Sequence, residues 1–152
     1  MDETKVDKDL TAIHQQLATN LALISAICTR LEAVADQLPD NVDTNECRQL
    51  ALLIYPSVLD AHQYEEKVVF PLLRQPGNLP GIADTIERLR FEHWEDESFA
   101  AELQESMCRF AVGRDREHVE TLSWMLRGFF EGVRRHMAFE REYILPMLSR
   151  KT

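Results

Sequence analysis

The sequence predicts an all-α protein, an antiparallel four-helix bundle running up, down, up and down. Four segments of roughly 30 residues carry apolar residues at alternating spacings of three and four, the mark of helices packed at a shallow angle. Three breaker clusters separate them: Leu38-Pro39-Asp40-Asn41, Pro76-Gly77-Asn78-Leu79-Pro80-Gly81 and Gly113-Arg114-Asp115. Only five glycines and six prolines occur in 152 residues, which favours helices over sheets. Short loops make sequential helices antiparallel neighbours, and the length suits one domain spanning residues 1–152.

The first stripe is Leu10, His14, Leu17, Leu21, Ile24, Cys28, Leu31, Ala35 and Leu38. Thr4 with Asp7 resembles a weak capping box before it. The second stripe is Leu52, Tyr55, Leu59, His62, Glu66, Val69 and Leu73, with Asp43 and Glu46 as a stronger capping box. Pro56 is expected to kink this helix or delay its start. The third stripe is Ile82, Ile86, Leu89, His93, then Asp96 or Glu97, then Ala100, Leu103, Met107 and Phe110. The fourth is Val119, Leu122, Leu126, Phe129, Val133, His136, Glu140, Tyr143 and Met147. Pro71 and Pro146 are expected to bend or end helices two and four one turn beyond a glutamate.

Composition narrows the function. A net charge of −9 argues against nucleic acid and anionic membrane surfaces as partners. No uninterrupted apolar run approaches the ~20 residues of a span, and the first residues lack the basic and apolar regions of a signal peptide. Cys28, Cys47 and Cys108 are odd in number, widely spaced and without a CxxC. That argues against a disulfide framework or zinc finger and for a reducing, cytoplasmic compartment. Cys28 and Cys108 read as small core residues.

The chemistry lies in His62-Gln-Tyr-Glu-Glu66 and His136-Met-Ala-Phe-Glu140. Residues four apart share one helix face. Both pairs fall on apolar stripes, as do His14 and His93. A buried carboxylate is costly unless it is paired or binds a metal. In an antiparallel bundle all four positions also fall at one level, roughly 15–20 Å from the same end at ~1.5 Å per residue. His118 lies off its stripe at the other end and reads as a surface residue. Imidazoles with carboxylates suit iron, manganese or zinc. His14, His62, His93 and His136 are the candidate terminal ligands, and Glu66 and Glu140 the candidate bridges between two metals. Glu65 reads as a solvated or interfacial residue that competes with Glu66.

At these residues the chain resembles the hemerythrin-like, or HHE cation-binding, family. The family pattern is a histidine on helix one, HxxxE on helix two, a histidine on helix three and HxxxE on helix four. His14, His62/Glu66, His93 and His136/Glu140 match it in order, as do Phe70-Pro71 and Leu145-Pro146 beyond the motifs. The resemblance covers nearly the whole chain. It implies two Fe ions in an oxo- or hydroxo-bridged di-iron centre with an open site, for which Zn or Mn are substitutes. It implies a small ligand: O2, NO or peroxide. Oxygen-carrying members have a second histidine on helix three, where this chain has Glu97, a candidate fifth metal ligand for which Asp96 is the alternative on the stripe. A carboxylate there favours the ferric state over reversible oxygen carriage. The implied roles are those of oxygen, peroxide or nitric-oxide responders, iron sensors or stores, and iron-cluster repair helpers.

Tyr55 and Tyr143 are candidate hydrogen-bond partners for the ligands or a bound dioxygen species, and Trp94, Phe129 and Phe139 candidate walls. A ferritin-like oxidase needs ExxH motifs; the residues three before the histidines are Thr11, Leu59, Arg90, Asp115 and Val133. The chain has no P-loop, GxSxG or GxGxxG match, so a metal-binding sensor is favoured over a dedicated enzyme. Nothing in the sequence sets the oligomeric state.

Overall fold

The structure is a computed structural model that describes residues 3–75 and 79–149. Pro76, Gly77 and Asn78 of the second loop lie outside the described residues, as do the side chains of the Thr4–Asp7 pair. Helix α1 spans Glu3–Gln37. Helix α2 spans Thr44–Tyr64 and continues through a π turn, Glu65–Val69, and a last α turn, Phe70–Leu73. Helix α3 spans Ile82–Ala111. Helix α4, Val119–Phe139, follows a 3₁₀ turn at Arg116–His118 and continues through a π turn, Glu140–Ile144, and a 3₁₀ turn, Leu145–Ser149. Sequential helices pack side by side, and α4 closes the ring against α1. The described residues form an all-helical, four-helix bundle.

The expected stripes of α1, α3 and α4 face the core as far as Glu140: Leu17, Leu21, Ile24, Cys28 and Leu31 are buried, as are Ile86, Leu89, Leu103 and Met107, and Leu126 with Val133. The stripe of α2 keeps His62, Val69 and Leu73 buried as expected but is displaced by one residue at Leu52, Tyr55, Leu59 and Glu66. Cys47, Leu50, Ala51, Ile54 and Val58 face inward, whereas Leu52 is exposed. Ala51-Leu52-Leu53-Ile54-Tyr55 is apolar throughout, so two adjacent stripes fit the pattern equally. Cys47, to which the sequence reading gave no place, therefore belongs to the core, and Cys108, read as a core residue, is only partly buried against it.

Asp43 is the N-cap of α2: its Oδ1 accepts from the amides of Asn45 at 3.0 Å and Glu46 at 3.1 Å. The box is only half made, because Glu46 instead accepts from Arg30 Nε at 2.7 Å and ties α2 to α1. Asp43→Ala is expected to cost about 1 kcal/mol of unfolding free energy in a urea titration. Helix α2 begins at Thr44 and runs through the exposed Pro56, so that proline does not delay its start. The 30-residue stretch Lys8–Gln37 is long and apolar enough to cross a membrane by length and composition, although no uninterrupted run is. Its apolar side forms the α1 share of the bundle core, as that of a core helix does.

The ends of α2 and α4 are built alike. Phe70 N–H bonds Glu65 O, and Leu145 N–H bonds Glu140 O, each five residues back. Pro71 and Pro146 follow at once. A proline offers no N–H, and its ring crowds the carbonyl four residues earlier. Widening the preceding turn relieves that crowding, and both helices end within three residues of the proline. In a turn of more than four residues, position i+3 swings away from the core and i+4 comes round to it. Val69 thus lines up with Glu65, and Ile144 with Glu140. Tyr143 is carried to the surface.

Candidate metal centre

Each π turn starts at a buried carboxylate. Glu65 is 3% exposed and Glu140 1%. Glu65, expected to be solvated, takes the inward place, and Glu66 lies partly exposed at the rim. The helical turn explains this. At about 100° per residue, Ile54 and Glu66 are twelve residues and about 120° apart around the helix, whereas Ile54 and Glu65 are about 20° apart. Three steps of four drift off the core; a step of three after His62 returns to it. A sequence signal for Glu65 exists: it precedes Pro71 by six residues, as Glu140 precedes Pro146, whereas Glu66 precedes Pro71 by five.

Glu65, His93, His136 and Glu140 form one group, each offering a donor atom within 4.8 Å of the others. His93 Nε2 lies 2.8 Å from Glu65 Oε2 and 3.8 Å from Glu140 Oε1. His136 Nε2 donates to Glu140 Oε1 at 2.6 Å, and its Nδ1 to Glu92 Oε2 at 2.8 Å. Phe70 stacks on the His93 ring at 5.6 Å between centroids.

Burial opposes the charged form of both rings, yet the carboxylates dominate. Glu140 and Glu65 beside His93 hold it up to about 10. Glu140 holds His136 up to about 9, against burial and the charge of His93. Burial and the neighbouring Glu140 charge raise Glu65, whereas the two rings depress Glu140 despite its burial. Two carboxylates so close divide the roles, one holding a proton and one ionised.

The remaining predicted residues separate from this group. His62 stacks on His93, with centroids 3.8 Å apart and planes at 8°, and its Nδ1 is 3.3 Å from Glu97 Oε1. Burial, then the charges of His93 and His136, push His62 down to about 2. Burial raises Asp96 to about 6 and also raises Glu97. Glu66 Oε1 is 3.7 Å from His93 Nδ1 and 3.5 Å from Arg90 Nε. His14 stands apart: α1 reaches the cavity beside the group through Asn20, Leu21 and Ile24. Asn20 is six residues further along α1, about 9 Å of rise.

Tyr143 is 55% exposed and stacks on Phe139, not on the site. Tyr55 is partly buried, two turns before His62. Trp94, expected as a wall, is 62% exposed, and Trp124 also faces out. Phe129 is buried against Phe99, and Phe139 lines a groove leading to His136. Phe70 is the aromatic wall that sequence reasoning missed, and the register of Pro71 points to it.

The group meets a simple test for a metal. Glu65 Oε2, His93 Nε2, His93 Nδ1 and Glu140 Oε2 are buried without a hydrogen bond among the described residues. Glu65 and His93 approach closely but not in line for one. Buried polar atoms are otherwise satisfied almost without exception. Imidazole and carboxylate donors converging on a common point suit a divalent cation.

A helical bundle with such a buried group defines a cation-binding domain. The sequence pattern described as Hemerythrin HHE cation binding domain matches residues 6–148, and the chain belongs to that family. Neither a curated protein nor a solved structure matches the chain.

Proposed function

We propose that this chain holds two iron ions in its bundle core and there binds, senses or reacts with dioxygen, peroxide or nitric oxide. The observation that carries the proposal is the convergence of donor atoms from Glu65, His93, His136 and Glu140, of which Glu65, His93 and Glu140 keep buried atoms without a hydrogen bond among the described residues. That set suffices for one ion. For the second ion the candidates are His62, stacked on the face of His93 with its Nδ1 3.3 Å from Glu97, and Glu66, 3.7 Å from His93 Nδ1. Manganese or zinc suits the same donors, but zinc has no redox chemistry to offer dioxygen.

Iron supplies the redox electrons and a coordination position for a small ligand. The protein supplies the rest. Glu92 holds the Nδ1 proton of His136 and leaves Nε2 to the centre. Val69 and Phe70 at the end of α2 and Leu89 of α3 are buried apolar residues, Phe70 stacked on His93, and limit water. Glu65 stores a proton within reach of whatever enters.

Protein reconstituted with ferrous iron without air is expected to hold about two irons per chain, the count that filling both donor sets gives. His136→Ala should lose metal. Air should then give either a reversible charge-transfer band, the sign of an oxygen binder, or irreversible oxidation, the sign of a sensor, peroxidase or repair protein. Wild-type protein without bound iron, or a His136→Ala variant retaining all of it, refutes the assignment.

A further inference from the structure

The two π turns give an internal register. Glu65 pairs with Glu140 and Pro71 with Pro146, with the same five-residue hydrogen bond between them. Counting back four residues, the counterpart of His136 on α2 is Ala61, and His62 is one place further on. The position that a second imidazole would fill by symmetry therefore carries a methyl group. A small cavity of about 20 Å³ lies there, bounded by Ala61, Leu21, Ile24, Val58, Val133 and Met137 and meeting Glu65, His136 and Glu140 at one side. That volume holds about one water-sized molecule. Asn20, His62 and Asp96 complete the lining, and the carboxylates of Glu65, Asp96 and Glu140 around a mostly hydrocarbon wall oppose the entry of an anion.

We infer that Ala61 sets the ligand specificity of the centre: it leaves one coordination position facing a small, largely apolar cavity that takes a small uncharged diatomic. The inference rests on the proposed metal reading. A valine at 61 adds two methyl groups, enough to fill the cavity without offering a donor. A histidine adds the missing imidazole.

The experiment loads wild type, Ala61→Val and Ala61→His with ferrous iron without air. It then measures iron retention against a chelator and nitric oxide binding by electron paramagnetic resonance. Ala61→Val should keep iron affinity near that of wild type and lose about tenfold or more in nitric oxide affinity. Ala61→His should hold iron about tenfold more tightly and give a weaker nitrosyl signal. Wild type that takes up no iron defeats the metal reading itself. Wild type that binds iron and nitric oxide, with Ala61→Val folded and binding nitric oxide unchanged, overturns the role of Ala61 alone. Should Ala61→His fail to fold, Ala61→Val still decides.

Discussion

Glu140→Ala is expected to abolish metal uptake and to lower the stability of the metal-free protein by roughly 3–5 kcal/mol. Glu140 is the buried anion between two buried imidazoles, 2.6 Å from His136 and 3.8 Å from His93. Without it two cations face each other, their ring centroids 5.2 Å apart, with Glu65 largely neutral. Removing one partner of a buried ion pair costs more than the pair contributed, because the other charge is stranded. Glu140→Gln keeps the volume and removes the charge, and it should recover less than half of the loss. Urea unfolding of metal-free protein measures both. A loss below about 1 kcal/mol for Glu140→Ala, the size of an ordinary hydrogen bond, would mean that the rings are not charged in the folded chain.

The same carboxylate shows what the sequence made legible. On α3 and α4 the apolar periodicity is unambiguous, so His93, His136 and Glu140 read directly as core positions. On α2 it is not. The run Ala51–Tyr55 accommodates two stripes, and the four-residue spacing of His62 and Glu66 favoured the one that the fold rejects. Beyond Glu65 and Glu140 the helix itself changes pitch, so a reading at constant pitch sent Tyr143 inward and left Ile144 out. The prolines that cause the change were visible, and their equal distance from Glu65 and Glu140 encoded the true register. What the sequence did not carry is cross-helix placement. That His62 stacks on His93 rather than joining the inner group depends on side-chain packing between α2 and α3. That Glu92, a neighbour of His93 in sequence, holds a ring of α4 follows from the same packing.

Those placements give the second large effect, a steep dependence of metal affinity on pH. A metal needs the lone pair of a neutral imidazole. In the metal-free protein His93 keeps its proton up to about pH 10 and His136 up to about 9, because carboxylates outweigh burial. At pH 7 each ion that uses both rings must therefore expel two protons, and Glu65, raised by burial and by Glu140, adds to the release. One displaced proton changes affinity tenfold per pH unit, so two change it about 100-fold per unit between about pH 6 and 8. Competition with a chelator at three pH values gives the slope, and calorimetry in buffers of different ionisation heat counts the protons directly. The metal-free protein should respond in the opposite sense. Two histidines with raised values contribute stability that is complete below about 6.5 and is lost as pH rises through about 9 to 10. Alkaline solution should thus weaken the empty bundle while tightening its hold on metal. A slope of tenfold per unit or less, with no alkaline loss of stability, would show that the rings are already neutral and that Glu140 does not carry the charge assigned to it.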